Sequence, residues 1–131
     1  MSISNRNEPV CDFDRWIVEE FSVSGAFTVL IVFVQIADTK VEPLCSTYLN
    51  VIGDEVDWGE MTVLFAGAGA NWSGAAFFPV TGADGPVDNP TARLRLQALE
   101  ARVNESRLVL NEGHFFDKWG RRLQIEEMEL Q

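Results

Sequence analysis

The sequence predicts an α+β fold, a single domain with a largely antiparallel sheet and about three helices. One long apolar run is rich in β-branched residues, other segments place apolar residues at helical spacing, and there is no regular β-α-β alternation. The predicted element order is β-β-α-α-β-α-β-β. A chain of 131 residues suits one core. We therefore assign residues 1–131 to one domain and expect residues 1–14 to form a loosely ordered N-terminal segment.

The run from Ala26 to Ala37, AFTVLIVFVQIA, predicts a central strand that is buried on both faces. It is too short to span a bilayer as a helix, which needs about 20 residues. The preceding segment, 15–24, is also rich in β-forming residues and ends at Ser24 and Gly25, a pair that suits a tight turn. Together the two segments predict an antiparallel hairpin.

The spacing of apolar residues changes after residue 40 and predicts the first helix. Between Val41 and Ile52, apolar residues recur at intervals of three and four, with Pro43 in the first turn and Gly53 after the end. Cys45 falls on the apolar face of this helix. We therefore expect a buried structural thiol there rather than a nucleophile.

The second predicted helix begins after Asp57, which would cap it, with Glu60 at the third helical position. It continues to Ala66, although residues 62–66 would also suit a strand. A short strand is predicted over residues 75–80, where apolar residues precede a loop rich in Gly, Asp and Pro.

The third predicted helix has the clearest start signal in the chain. Asn89 is expected to be its N-cap because Pro90 follows at the first helical position, and the apolar spacing continues to about Ser106. The rest of the chain predicts two further strands, at 107–110 and 121–130, the second with alternating apolar and polar residues.

Charge narrows the classes of partner. Twenty Asp and Glu against ten Lys and Arg give a net charge of −10, so we expect no direct binding to nucleic acid or to an anionic membrane. Residues 1–66 carry a net −8 and residues 67–131 a net −2. This asymmetry suits a basic protein partner or a homodimer, and solubility alone is the simpler explanation.

Cys11 and Cys45 are the only cysteines, and their separation matches neither a zinc motif nor a redox motif. The first residues contain no apolar segment typical of a secretory signal. These observations predict a reduced, cytoplasmic protein that needs no metal and no cofactor.

The glycine-rich segment 67–74 contains G-x-G, but Trp72 stands where a dinucleotide-binding loop has its third glycine. No Lys-Ser or Lys-Thr follows, so a phosphate-binding P-loop is also absent. A flexible connection is the simpler interpretation. Asn71 and Trp72 are nevertheless candidates for a recognition surface, because loops often carry binding residues.

His114 is the only histidine, and Glu112 and Asp117 lie close to it in the sequence. An imidazole beside a carboxylate can act as a general base, so these residues are weak candidates for the catalytic set of a small hydrolase-type enzyme. Their spacing supplies too few ligands for a metal site. A loop histidine beside buried aromatic residues is the simpler interpretation.

Three hypotheses about function follow. The first is a non-catalytic acidic interaction or regulatory module that self-associates, because catalytic motifs are missing and aromatic residues are abundant. The second is a small-molecule-binding domain with an aromatic-lined pocket, in which Trp58 and Trp119 join the candidate binding residues. The third is the enzyme based on His114. We expect self-association also because three helices of modest length leave part of one sheet face exposed.

Overall fold

A computed structural model describes residues 11–38, 40–53, 56–66 and 71–125. It confirms the α+β class and the largely antiparallel sheet. The described elements, in chain order, are α1 (Asp12–Ser24), β1 (Phe27–Ala37), β2 (Lys40–Val51), α2 (Trp58–Ala66), β3 (Gly74–Val80), α3 (Asn89–Glu105), a 3-10 helix (Arg107–Glu112) and β4 (His114–Asp117).

The sheet has the strand order β2-β1-β3-β4, and every neighbouring pair is antiparallel. β1 lies between β2 and β3, and its first eight residues are all buried. The predicted central strand, buried on both faces, is therefore confirmed.

Each face of the sheet has its own hydrophobic cluster. On one face, α1 and α2 pack their aromatic residues against β1, with Phe13 of α1 fully buried among other rings. On the other face, α3 and the 3-10 helix cover β1 through Leu99, Val103 and Leu110. Helices thus cover both faces of β1 over its first eight residues. On β2, Cys45 and Thr47 remain exposed, so one face of the sheet is partly exposed as expected.

The predicted first strand, 15–24, is wrong because these residues belong to α1. The buried side chains of α1 are Phe13, Trp16 and Ile17, with Phe21 packed against the same cluster. Their spacing of three and four residues places them on one helical face. Packing against the sheet therefore outweighs the β preference of the individual residues.

The predicted helix at 41–52 is also wrong, because this segment is β2. The pairing with β1 shifts between Phe33, opposite Cys45, and Val34, opposite Pro43, so Leu44 is an extra residue. This bulge interrupts the two-residue alternation of the strand and gives the apolar positions an apparently helical spacing. Cys45 is exposed on β2, contrary to the buried thiol that we predicted.

The second and third predicted helices correspond to α2 and α3. Asp57 accepts a hydrogen bond from the backbone N–H of Glu60 at 2.8 Å, which confirms the predicted cap. In α3 the cap is Asp88 rather than Asn89, because the Asp88 carboxylate accepts from the N–H of Thr91 at 2.9 Å. The proline then occupies the second helical position.

The C-terminal part departs further from prediction. Residues 107–110 form part of the 3-10 helix rather than a strand, and β4 lies in a segment for which no strand was predicted. Of the predicted strand 121–130, residues 121–125 form one isolated bridge, Phe116 to Arg122, and 126–130 lie outside the described residues. Of the predicted loose segment 1–14, residues 12–14 begin α1 and 1–10 lie outside the described residues.

Replacing Asp88 with Ala should lower the free energy of unfolding by about 1 kcal/mol, because α3 loses its cap. Asp88 is exposed, so its replacement creates no cavity in the core. Urea unfolding monitored by circular dichroism measures the effect. The Asn89→Ala variant is the matched control and should change stability far less; equal losses in both variants would contradict the assignment.

Candidate functional site

β2 forms an open edge of the sheet: among the described residues, no strand pairs with its outer side. The pairing of β2 with β1 shows which backbone N–H and C=O groups of β2 point outward. The Val34 carbonyl accepts from the N–H of Ser73 at 2.9 Å, so Val34 directs its backbone groups toward β3 and away from β2. Residues at even spacing along β1 share this direction. Their partners on β2 are Ser46, Tyr48 and Asn50, whose backbone groups therefore face the open edge.

Three features protect only the first part of this edge. The Val41 carbonyl accepts a hydrogen bond from Nε of Arg107 at 2.8 Å. Pro43 has no N–H to present, and the bulge at Leu44 bends the strand. None of these features covers the backbone of residues 46–50 within the described structure. Residues 43–53 carry no charged side chain. The Glu100 carboxylate of α3 accepts a hydrogen bond from the Ser46 hydroxyl.

The opposite edge, formed by β4, is covered by the chain that follows it. The N–H of Leu123 donates to the Phe115 carbonyl at 2.8 Å, and the N–H of Asp117 donates to the Arg121 carbonyl at 2.8 Å. These bonds occupy the outer side of β4. The two edges of the sheet therefore differ in their capacity to pair with another strand.

A tight turn connects β4 to this covering segment. The Asp117 carboxylate accepts from the backbone N–H groups of Trp119 and Arg121, both at 2.9 Å, and the Arg121 side chain forms an ion pair with it at 3.0 Å. Trp119 is 65% exposed, the largest exposed ring among the described residues. The Arg121 guanidinium lies over this indole, 5.1 Å from the ring centroid.

Trp119 lines an open cleft of about 570 Å³, here called the Trp119 cleft. Its lining residues come from the start of α1 and from the turn after β4: Cys11, Asp12, Arg15, Trp119 and Arg121. Burial raises the pKa of the Cys11 thiol, so the thiol stays protonated at neutral pH and is a poor nucleophile.

A second cleft, of about 350 Å³, brings together the predicted binding residues Asn71 and Trp72. Lys118, Thr62 and Ala66 complete this Trp72 cleft. The Trp72 ring is half-buried and packs against the core rings, so core packing accounts for its position.

Trp58, another predicted binding residue, lies inside the core. It is 7% exposed, and its indole N–H donates to the Lys118 carbonyl at 2.7 Å. Its ring is 6.0 Å from that of Trp72 and 5.0 Å from that of Phe13. Trp58 thus links the core to the turn that contains Lys118 and Trp119.

His114 is not joined to the carboxylates that sequence proximity suggested. Its ring stacks on Trp16 with a centroid distance of 4.5 Å, and Nδ1 accepts from Arg122 at 3.2 Å. Burial and the nearby Arg122 lower the pKa of His114, while Glu20 partly offsets them. The imidazole is therefore neutral at pH 7 and acts as a packing partner of α1.

Glu112 and Asp117 have other partners. Glu112 forms an exposed, bidentate ion pair with Arg102, at 2.7 and 2.9 Å. Asp117 holds the turn described above. Within the hydrogen bonds of the described residues, neither carboxylate contacts His114, so the arrangement gives no support to the predicted catalytic set.

The described residues contain neither a metal-binding cluster nor a membrane-spanning helix. No group of three or more His, Cys, Asp or Glu side chains lies close enough together to hold a metal ion there. Nor does any helix in the described ranges combine the length and apolar character needed to cross a membrane. Comparisons with protein-family models, with curated proteins and with solved structures gave no significant match.

Sequence reasoning missed the features that distinguish the two edges. Arg15 was not a candidate because it was placed on a strand, whereas α1 brings it to the same cleft as Arg121. The open edge at 46–50 was hidden by the helical interpretation of that segment. The absence of charge from Pro43 to Gly53 was a visible signal for the edge.

We expect acid to destabilise the protein just below pH 6.5 through His114. Because the pKa of His114 is lowered on folding, the unfolded chain takes up a proton near its ordinary value of 6.5 while the folded chain does not. The free energy of unfolding should therefore fall as the pH is lowered from above 6.5 through the folded pKa. Urea unfolding at about pH 7.5 and pH 5.5 measures this loss, in a range where ordinary carboxylates stay ionised.

The His114→Gln variant serves as the control, because glutamine can still accept from Arg122 but does not titrate. Its stability should change less than that of the wild type between the two pH values. The lowered pKa values of Asp12 and Asp88 cannot account for the difference, because their contributions are lost only below their ordinary value of 3.8. Equal pH dependence in both proteins would contradict the assignment.

Proposed function

We propose that this protein is a non-catalytic interaction module that forms a homodimer by antiparallel pairing of two β2 edges. The observation that carries the proposal is the open, uncharged edge at residues 46–50. Each of Ser46, Tyr48 and Asn50 presents an N–H and a C=O outward, and an added strand would pair with these groups.

Exposed edges are normally protected by charge, proline or a bulge, because they otherwise pair with other chains. Here those devices occupy residues 40–44 and stop short of the next residues. Because the protection ends before residue 46, we infer that residues 46–50 bind another strand. The side chains flanking it include the exposed Thr47 and Cys45 on one face of the strand.

A second copy of the chain is the occupant that this edge suits best. In antiparallel pairing about a two-fold axis at Tyr48, Ser46 of each copy lies opposite Asn50 of the other, and the two Tyr48 residues face each other. These three side chains are uncharged, and the nearby Glu100 carboxylate of each copy is bonded to the Ser46 hydroxyl of the same copy. Two-fold pairing would extend the sheet continuously through both copies.

Net charge opposes this association at long range. Each copy carries −10, so two copies repel each other, and salt reduces that repulsion. The charged group bonded to these edge residues is the Glu100 carboxylate, which accepts from the Ser46 hydroxyl in each copy. It has the same sign as the net charge, so added salt should strengthen the dimer. A dimer that depended on pairing of the acidic half with arginines would instead weaken in salt.

Analytical ultracentrifugation of the wild-type protein over a range of micromolar concentrations tests the proposal. We expect a mass approaching twice 14.6 kDa, with a smaller dissociation constant at higher salt. Ser46→Pro should weaken the dimer at least about tenfold, a loss of about 1.4 kcal/mol, because it removes an outward N–H without breaking a bond to β1. Thr47→Glu should weaken it similarly by placing like charges beside the axis.

Matched controls separate pairing from folding. Ser46→Ala removes the same contact with Glu100 as Ser46→Pro does, but keeps the outward N–H, and it should dimerise normally. Thr47→Pro removes an N–H that faces β1 and should lower the free energy of unfolding. A monomer at all concentrations and salt levels would overturn the dimer, and a dimer unaffected by Ser46→Pro and Thr47→Glu would place its interface elsewhere.

A further inference from the structure

We infer that the Trp119 cleft is a binding site for a small aromatic monocarboxylate. This site is independent of the proposed dimer, because it lies beside β4 and the open edge is β2, at the other end of the sheet. Three observations carry the inference: an exposed but fixed indole, two guanidiniums with unused donors, and a cleft of suitable volume.

The indole of Trp119 is exposed on a rigid turn. The Asp117 carboxylate holds the backbone N–H groups of Trp119 and Arg121, and the N–H of Gly120 donates to the Asp117 carbonyl at 3.0 Å. Gly120 has a φ of 78°, which a residue with a side chain rarely adopts. The fixed backbone therefore keeps the Trp119 ring exposed to solvent, and the ring is not part of the described hydrophobic core.

The same turn is fixed to the start of α1. The N–H of Phe13 donates to the Gly120 carbonyl at 2.9 Å. A methyl group on Gly120 would lie 2.6 Å from Sγ of Cys11, so the backbone of the turn lies directly against that residue. The backbones that carry Arg15, one turn along α1, and Arg121 are therefore fixed relative to each other, and both side chains line one cleft. A fixed backbone lowers the entropic cost of binding.

The two guanidiniums retain donors. Arg15 bonds Asp12 through Nη1 at 3.2 Å, and Arg121 bonds Asp117 through Nε at 3.0 Å. A guanidinium has five N–H donors, so most of those in each group are not used by these ion pairs. The Arg15 and Arg121 side chains are 59% and 66% exposed, which leaves their free donors accessible to a carboxylate.

The arrangement selects the class of ligand. The two arginines are partly offset by Asp12 and Asp117, so the cleft suits a single negative charge better than a multiply charged phosphate. The Arg121 guanidinium lies beside the Trp119 indole, so a flat ring that contacts the exposed part of the indole can bring its carboxylate within reach of that guanidinium. The volume, about 570 Å³, lies in the range of small-molecule sites.

Titration of the full chain with 2-naphthoate tests this inference, monitored by the indole N–H signals of the four tryptophans in two-dimensional NMR spectra. The Trp119→Phe variant assigns one signal to Trp119. We expect that signal to shift with saturation and the signal of buried Trp58 to shift less. Acetate has the carboxylate without the ring, and 2-naphthamide has the ring without the charge. Each should bind at least about tenfold more weakly than 2-naphthoate, a difference of about 1.4 kcal/mol.

Variants identify the binding groups. Arg15→Gln and Arg121→Gln should each weaken 2-naphthoate binding at least about tenfold, equivalent to about 1.4 kcal/mol. Arg93→Gln removes the same charge from an exposed position on α3 and should leave the affinity unchanged. If the remaining indole signals show that Arg121→Gln disturbs the turn, the result for Arg15→Gln is used to judge the proposal. The Arg15 side chain forms only an exposed ion pair with Asp12 within α1 in the described structure, so its replacement should not disturb the turn.

Several outcomes would overturn the inference. One is the absence of a Trp119 shift at about 10 mM 2-naphthoate, a concentration about tenfold above a dissociation constant of about 1 mM. Others are equal affinity for 2-naphthamide, tighter binding of inorganic phosphate than of 2-naphthoate, or unchanged affinity in Arg15→Gln. None of these results would affect the β2 dimer, which is tested by mass.

Discussion

The burial of β1 on both faces is the constraint on which the rest of the structure depends. A strand whose side chains are apolar in both directions has to be covered twice, so helices must lie on both sides of the sheet. α1 and α2 cover one face and α3 with the 3-10 helix covers the other. With β1 in the centre, the ends of the sheet fall to β2 and β4, which determines where backbone groups remain open.

Segments with a single unambiguous pattern could be predicted from the sequence. β1 was identifiable because a continuous apolar run of β-branched residues suits little else, and α3 because proline follows a polar cap. The cap itself was misplaced by one residue, since Asp88 and Asn89 are both good caps and only the geometry of Thr91 distinguishes them. α1 failed because its β-branched residues concealed the spacing of its buried rings, which is set by tertiary packing.

The candidate site was less predictable, because it depends on contacts between distant segments. Proximity in sequence suggests His114 with Glu112 or Asp117, but Glu112 ends the 3-10 helix, and β4 directs the side chains of His114 and Asp117 to opposite faces. The three groups therefore have different partners. Trp119 was identified only as one tryptophan among four. Its pairing with Arg15 requires α1 to meet the turn after β4, across more than 100 residues, as the Arg122 to Asp12 bond also does.

The distribution of charge gives the two ends of the sheet different chemistry. Residues 43–51 of β2 carry no charged side chain within a chain of net −10, so backbone hydrogen bonds are the main contacts available there. At β4 the edge is already covered, and the turn beyond it carries Lys118 and Arg121 around an exposed indole. An open edge binds a strand through its main chain, whereas a covered edge with a rigid turn can bind only through side chains. This physical difference is why we assign a protein partner to one end and a small anion to the other.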